Sequence, residues 1–266
     1  GGFIMYQFLS HYYETLFPYR QYVVWKDFAR PIIQKSRAVQ KFKDRREKPL
    51  VVDAGCGTGA LADILATYYD VIGIDISEEM LDQALKNYPD KGILWVCQDI
   101  SKMEVGRPAA AVFATTDTLN HITNLNQLNA FLKRAYRTLE SGGYLFFDVV
   151  TEAFFKFFYE DGSCSFEDFE WGSFFWRCKY RQSTQKAVYD VTYFEKCEGR
   201  EDLYRRTDEQ ITERVWPKTV ILEGLEKAGF RNIQLYADLL FGAQGKSLLD
   251  PSLNDRDRLY FVCEKP

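Results

Sequence analysis

The chain has 266 residues, of which 46% are hydrophobic and 27% charged, and its formal net charge is −4. This composition is that of a folded globular protein, and its acidic balance argues against a general nucleic-acid binder. No apolar run approaches the ~20 residues that a membrane span needs, so we expect no membrane association. The six cysteines lack the paired spacing of metal ligands. We therefore expect reduced thiols, no metal site and a cytoplasmic protein.

The N-terminal segment, residues 1–48, is predicted to be largely helical. Apolar residues recur at helical spacing between Tyr22 and Ile33, and aromatic side chains show the same spacing earlier in the segment. A polar stretch then leads into the first strand.

From Leu50 the chain alternates apolar runs with helical patterns at the interval typical of βαβ units. Strands are predicted over 50–54, 71–75, 93–98, 110–115 and 144–150, and helices over 59–69, 77–87 and 126–139. Ser77 is the expected N-cap of the second helix, and Gly142 and Gly143 are expected to end the third. The pattern predicts a mainly parallel sheet.

The rhythm changes after Val150. Three longer strands are predicted over 174–181, 187–196 and 203–215, followed by a helix over 216–228 and strands over 233–239 and 258–264. The three long strands indicate an antiparallel sheet inserted into the α/β core. The predicted organisation is thus an N-terminal helical unit over 1–48, a core formed by 49–150 with 215–266, and an antiparallel β insertion over 151–214.

A glycine-rich loop joins the first strand to its helix, with the sequence Val51-Val52-Asp53-Ala54-Gly55-Cys56-Gly57-Thr58-Gly59. Glycine lets the backbone turn tightly, and the helix N-terminus beyond offers free N–H groups to a phosphate or a carboxylate. Gly55, Gly57 and Ala60 also fit the dinucleotide pattern, so a nicotinamide-dependent oxidoreductase is one interpretation of the loop.

Three carboxylates at strand ends favour a different ligand. Asp75 ends the second strand, where it can accept both ribose hydroxyls, and Asp53 lies just before the first glycine, where a carboxylate suits an ammonium group. Asp99 ends the third strand and can accept from an adenine amine, with Ile100 against the ring. Together they indicate a nucleoside joined to an amino acid.

These motifs resemble the class I S-adenosylmethionine methyltransferases. D-x-G-C-G-T-G resembles their first motif, Ile74-Asp75-Ile76-Ser77-x-x-Met80-Leu81 their second, Gln98-Asp99-Ile100 their third, and 114–122 the segment beside the transferred methyl. The resemblance implies an α/β Rossmann-like fold with a seven-stranded mainly parallel sheet, S-adenosylmethionine as methyl donor and S-adenosylhomocysteine as product. The implied cofactor residues are Asp53, Gly55, Cys56, Gly57, Gly59, Asp75, Ile76, Met80, Asp99, Ile100 and Thr115.

The order of the segments further resembles the glycine/sarcosine and the amino-sugar N-methyltransferases. This narrower resemblance implies a small soluble acceptor, preferably an amine, and an N-terminal lid in which Tyr13, Arg20 and Trp25 reach the cofactor. Packing of an amphipathic helix on the sheet is the alternative role of these three residues. An RNA or protein methyltransferase is the alternative function, although the net charge disfavours a nucleic-acid partner.

Two residues after the fourth strand are candidates for catalysis. His121 would serve as a base or orient the acceptor, and Asn120 would orient the acceptor; a loop histidine held by backbone contacts and a loop cap are their alternative roles. The insertion would form the acceptor pocket or a homodimer contact. Its aromatic residues Phe174, Trp176, Tyr189 and Tyr193 are expected to be sheet core or dimer contact rather than ligand contacts.

Overall fold

A computed structural model of the protein describes residues 10, 14, 19–41, 47–159, 164–240, 244–246 and 250–266. The helices are α1 (Arg20–Lys35), α2 (Arg37–Gln40), α3 (Ala60–Ala66), α4 (Glu78–Asn87), α5 (Thr118–His121), α6 (Leu125–Thr138), α7 (Glu152–Tyr159) and α8 (Lys218–Ala228). The strands are β1 (Leu50–Ala54), β2 (Asp70–Asp75), β3 (Leu94–Cys97), β4 (Ala109–Ala114), β5 (Leu139–Val150), β6 (Cys164–Phe169), β7 (Gly172–Arg181), β8 (Lys186–Cys197), β9 (Arg200–Arg214), β10 (Arg231–Tyr236) and β11 (Arg258–Glu264). In this part of the chain, no helix is long and apolar enough to cross a bilayer.

Seven strands form one sheet in the order β10-β11-β5-β4-β1-β2-β3. The five strands from β5 to β3 run parallel, and β11 runs antiparallel to both β5 and β10. The predicted seven-stranded, mainly parallel sheet is confirmed. The carboxyl ends of β1, β2 and β4 consequently meet at one edge, where the side chains of a site can converge.

Helices cover both faces of this sheet. Every residue of β1 and β4 is buried, as expected for parallel strands packed on both sides. Val51 faces the hydrophobic cluster that contains α1 and α3, whereas Val52 faces the cluster that contains α6 and α8. Trp25 of α1 is 3% exposed, and its ring lies edge-on to Phe113 and Tyr260 at 6.3 and 5.6 Å. Trp25 therefore packs in the core, which is the alternative role that the sequence left open for it.

The junction between α6 and β5 differs from the prediction. The helix ends at Thr138, and Leu139 is already extended with φ −73° and ψ 143°, so Gly142 and Gly143 lie inside the strand and do not end the helix. A Cβ on Gly143 would lie 2.9 Å from the carbonyl oxygen of Ala110. Close approach of two strands is therefore the reason for this glycine.

The second sheet is an antiparallel meander in the order β6-β7-β8-β9. The three strands predicted in the insertion are present, and β6 and α7 are two elements that the sequence did not indicate. All but two residues of β6 are exposed, so it lacks the alternation that marks a half-buried strand. The prediction of an antiparallel sheet separate from the α/β core is confirmed.

Asn120 joins the short helix α5 to both sheets. Its Nδ2 donates to the carbonyl oxygens of Val150 (3.1 Å) and Arg214 (3.0 Å), and its Oδ1 accepts from the backbone N–H of Val150 (3.0 Å). The side chain is 0% exposed. Since these bonds use both of its N–H donors and its carbonyl oxygen, Asn120 links the two sheets structurally, which is closer to the alternative role of a loop cap than to that of orienting the acceptor.

The Asn120→Ala variant should lose about 2–4 kcal/mol of unfolding free energy, because buried backbone groups at Val150 and Arg214 would lose their partners. The measurement is urea denaturation with the m-value checked. Asn126→Ala, at an exposed position in α6, is the control and should change the stability by less than about 0.5 kcal/mol. Equal stability of the two variants would contradict the assigned role.

Candidate functional site

The loop after β1 is built by glycines in left-handed conformations. Gly55, Gly57 and Gly59 have φ values of 78°, 52° and 89°. A Cβ at Gly55 would lie 2.6 Å from the Thr118 side chain, and one at Gly59 would lie 2.5 Å from the Trp95 ring. A Cβ at Gly57 would meet nothing within 4 Å. Gly57 therefore faces open space that a ligand can enter, whereas Gly55 and Gly59 satisfy packing inside the protein.

A cavity of about 200 Å³ opens beside this loop, and we call it the glycine-loop cavity. Its walls are Gly55, Gly57, Asp75, Ile76, Met80, Asp99, Ile100, Ser101, Thr116, Thr118, His121, Ile122 and Gln127. Seven of the predicted cofactor residues are in this set. Thr116 and Thr118 lie in the segment 114–122 that resembles the motif beside the transferred methyl, but that resemblance did not single them out. Gln127 was missed because the helical sequence around it matches no motif.

The carboxylate of Asp75 is held rigidly at the cavity wall. Its Oδ2 accepts from the backbone N–H of Gly57 (2.8 Å) and its Oδ1 from that of Ser77 (2.9 Å). Burial raises the pKa of Asp75 against the effect of these hydrogen bonds. The neighbouring Ile76 is 64% exposed, so an apolar surface suited to a flat ring lies next to an acceptor suited to hydroxyl groups.

Asp53 lies under the loop at the end of β1. It is 2% exposed, and its Oδ2 has no hydrogen-bond partner. Burial and the nearby Asp75 raise the pKa of Asp53 to about 7. A buried carboxylate oxygen without a donor is costly, so this position fits a ligand that brings an ammonium group.

A second, very small cavity of about 20 Å³ lies on the Asp53 side of the loop. Its walls are Tyr22, Asp53, Gly55, Cys56, Gly57, Leu61, Thr115 and Thr116. Cys56 and Thr115, which were predicted to contact the cofactor, line this space rather than the glycine-loop cavity. Tyr22 is the α1 side chain that reaches the loop, and its helical spacing alone could not distinguish it from core residues.

The N-terminal segment is attached to the loop by Glu14. Its Oε1 accepts from the Thr58 hydroxyl (3.0 Å), from Asn87 Nδ2 (3.0 Å) and from the Tyr88 hydroxyl (3.1 Å). Arg20 is exposed at the first residue of α1. The prediction for Tyr13 lies outside the described residues.

A third cavity, of about 230 Å³, lies between the loop after β4 and the second sheet, and we call it the aromatic cavity. Its walls are Thr116, Asp117, His121, Val150, Phe154, Tyr159, Phe174, Trp176, Tyr189, Val191, Tyr193, Ile211, Glu213 and Arg258. Phe174, Trp176, Tyr189 and Tyr193 belong to the hydrophobic cluster of this sheet, as predicted, and their rings also line the cavity. Thr116 and His121 belong to both this cavity and the glycine-loop cavity.

An ion cluster holds the loop between the two cavities. Arg258 Nη1 lies 2.5 Å from Asp117 Oδ1 and also contacts Asp148, whose Oδ1 accepts from the Thr116 backbone N–H at 2.7 Å. Thr116 and Asp117 have φ values of 57° and 66°, in the left-handed region. This conformation is especially unfavourable for Thr116, because its side chain is β-branched. Backbone strain of this kind concentrates at functional sites. Burial outweighs Arg258 and raises the pKa of Asp148 to about 6.

His121 and Glu213 lie next to each other in the wall of the aromatic cavity. The Nε2 of His121 lies 3.8 Å from the Oε1 of Glu213. Burial lowers the pKa of His121, so its imidazole is neutral at pH 7 and can take up a proton. Burial and the nearby Asp117 raise the pKa of Glu213 well above its usual range. Glu213 was missed because one acid in a long polar strand carries no distinguishing pattern.

The comparisons with known proteins agree with this geometry. Residues 51–143 match the family model described as a methyltransferase domain. A Geobacillus sp. (strain WCH70) protein that carries a methyltransferase name is 26% identical over 263 residues, which cover 98% of this chain and 99% of the relative.

Two solved structures share the fold at low identity. One is an S-adenosylmethionine-dependent methyltransferase from Clostridium acetobutylicum ATCC 824, with a TM-score of 0.73 and 21% identity over 97% of this chain and 98% of that one. The other is the sugar N-methyltransferase KedS8 from Streptoalloteichus sp ATCC 53650, with a TM-score of 0.69 and 16% identity over 95% and 92%.

The fold, the glycine loop and the matched domain define a class I methyltransferase. The protein is an S-adenosylmethionine-dependent methyltransferase, and the predicted class, fold and methyl donor are confirmed.

We expect the affinity for S-adenosylhomocysteine to rise by about tenfold as the pH goes from about 5.5 to about 7, because the ligand ammonium needs an ionised Asp53, whose pKa is about 7. Calorimetry at several pH values measures this slope. The Asp53→Asn variant should bind more weakly at neutral pH, with a flat profile. If the affinity of the Asp53→Asn variant showed the same dependence on pH, the titrating group would be another residue.

Proposed function

We propose that the enzyme methylates the nitrogen of a small soluble amine, which occupies the aromatic cavity while S-adenosylmethionine occupies the glycine-loop cavity. The observation that carries this proposal is the shared wall of the two cavities. Thr116 and His121 line both, so two ligands would meet there without solvent between them. Alignment of two reactants in this way can lower a barrier by about 7–11 kcal/mol.

In this proposal the strand-end residues divide the cofactor between them. Asp53 pairs with the ammonium of the methionine part, Asp75 accepts from the ribose hydroxyls, and Asp99 accepts from the adenine amine. Ile76, Met80 and Ile100 supply the apolar contacts to adenine. The orphaned Oδ2 of Asp53, the open space at Gly57 and the exposed face of Ile76 support this assignment.

The insertion supplies the other half of the site. Rings from α7, β7 and β8 line the aromatic cavity, together with Ile211 and Glu213 of β9. We therefore assign the segment 151–214 to acceptor binding. A sugar N-methyltransferase among the solved structures of this fold supports an amine as acceptor.

When bound, S-adenosylmethionine supplies an electrophilic methyl group on a sulfonium sulfur. The neutral His121 takes a proton from the acceptor ammonium and leaves a free lone pair on nitrogen. The methyl donor held by Asp53, Asp75 and Asp99 would supply its methyl carbon to that nitrogen, and the electron pair of the carbon–sulfur bond would stay with sulfur. The product leaves as the methylated ammonium, and the imidazolium returns its proton to solvent.

A panel of small acceptors, divided into amines, alcohols, phenols and carboxylates, tests the reaction class. With S-adenosylmethionine and enzyme, we expect mass spectrometry to show a mass increase of one methylene on amines, together with S-adenosylhomocysteine. Transfer to the oxygen compounds alone would overturn the proposal of an amine acceptor.

His121→Ala should reduce kcat by about a hundredfold, since general-base catalysis contributes at least this much. The affinity for S-adenosylhomocysteine should change less than kcat, because His121 is one part of the wall of the glycine-loop cavity and the strand-end carboxylates assigned to the cofactor are unaltered. Steady-state kinetics and calorimetry measure the two effects, and Asn126→Ala serves as the unchanged control. An unaltered kcat in His121→Ala would remove this residue from the mechanism.

A further inference from the structure

The charged side chains of the aromatic cavity are unevenly matched. Asp117, Glu213 and Arg258 line it, and Asp148 stands behind Arg258. The Arg258 guanidinium contacts both aspartates, and its Nη1 lies 2.5 Å from Asp117 Oδ1. Glu213 is the carboxylate of this set that has no ion pair to Arg258 among the described contacts. With Glu213 ionised, negative charge therefore exceeds positive charge around the cavity.

Glu213 is also buried and incompletely bonded. The residue is 6% exposed, and its Oε2 has no hydrogen-bond partner. Its Oε1 lies 3.8 Å from His121, and the Tyr189 side chain is its hydrogen-bonding neighbour. A buried carboxylate in this state is costly unless a ligand supplies a donor or a positive charge.

The remaining wall of the cavity consists largely of aromatic rings. Six rings line it, from Phe154, Tyr159, Phe174, Trp176, Tyr189 and Tyr193. Aromatic faces attract cations through their quadrupole, and this attraction grows when the cation is removed from water. Rings of this kind around a buried carboxylate form a site that suits an alkylammonium group.

We propose that the aromatic cavity is a cation site, which binds the acceptor as an alkylammonium ion with Glu213 as its counter-ion. Identification of the occupant as the methyl acceptor rests on the proposed function; the binding chemistry stands on the cavity itself.

The same charges select against acceptors that carry an acid group. Within the described wall, the positive charge of Arg258 is compensated by Asp117 and Asp148, so a carboxylate or phosphate on the ligand would find no uncompensated guanidinium to receive it. Such a group would also be repelled by Glu213. The preferred acceptor is therefore an amine with an apolar or aromatic body, rather than an amino acid or a phosphorylated amine.

Three probes test this proposal on the full chain saturated with S-adenosylhomocysteine. The first is choline, and the second is the neutral alcohol in which a quaternary carbon replaces the choline nitrogen. The third is betaine, in which the same trimethylammonium group carries a carboxylate in place of the alcohol. In calorimetric titrations we expect choline to bind at millimolar concentration and at least tenfold more tightly than either of the other two. Absence of choline binding, or equal binding of choline and either comparison probe, would overturn the cation site.

The Glu213→Gln variant assigns the effect to one side chain. Choline should lose at least tenfold in affinity, and the neutral alcohol should bind as it does to the unaltered protein. Unchanged choline affinity would overturn the role of Glu213. If the variant does not fold, the comparison of the three probes on the unaltered protein still decides the proposal. Choline binding without methylation of any amine in the panel would instead overturn the proposed function alone.

Discussion

The contact on which both cavities depend is the one between Arg258 and the two aspartates Asp117 and Asp148. It connects the start of β11, the end of β5 and the loop after β4, three parts of the chain that are far apart in sequence. Thr116 and Asp117 adopt left-handed conformations that an isolated loop would avoid. The ion cluster makes this conformation the stable one, and with it the position of the wall that the two cavities share.

The arrangement also explains why the cluster is buried. A buried ion pair is a weak source of stability, because desolvation of the charges offsets their attraction. Removal of Arg258, however, would leave Asp148 buried without a counter-charge, and the Thr116 backbone bond to that carboxylate would weaken with its protonation. The pair thus contributes a defined loop geometry more than it contributes stability. Catalysis by alignment requires such definition, because a misplacement of about 1 Å can cost a large part of the rate.

Prediction from the sequence succeeded for the α/β core and the glycine loop, because their signals are local. The glycines and Asp53, Asp75 and Asp99 stand within a few residues of strand ends whose periodicity is clear. The aromatic cavity depends on contacts between distant segments. Asn120 resembles a loop residue until its bonds to Val150 and Arg214 are known. Likewise, the alternating aromatic residues of β8 predict a strand, but they do not show whether one face of that strand lines a cavity.

The two halves share one electrostatic principle. Each half contains a buried carboxylate oxygen without a hydrogen-bond partner, on Asp53 under the glycine loop and on Glu213 in the wall of the aromatic cavity. Burial raises the pKa of both groups, so in the ligand-free protein their ionisation opposes folding as the pH rises from the unfolded value through the folded one. A ligand ammonium that pairs with the carboxylate removes that cost. Binding of such a ligand therefore stabilises the folded protein. The α/β core and the insertion thus share one feature, which is a buried acid that a ligand with a donor or a positive charge can satisfy.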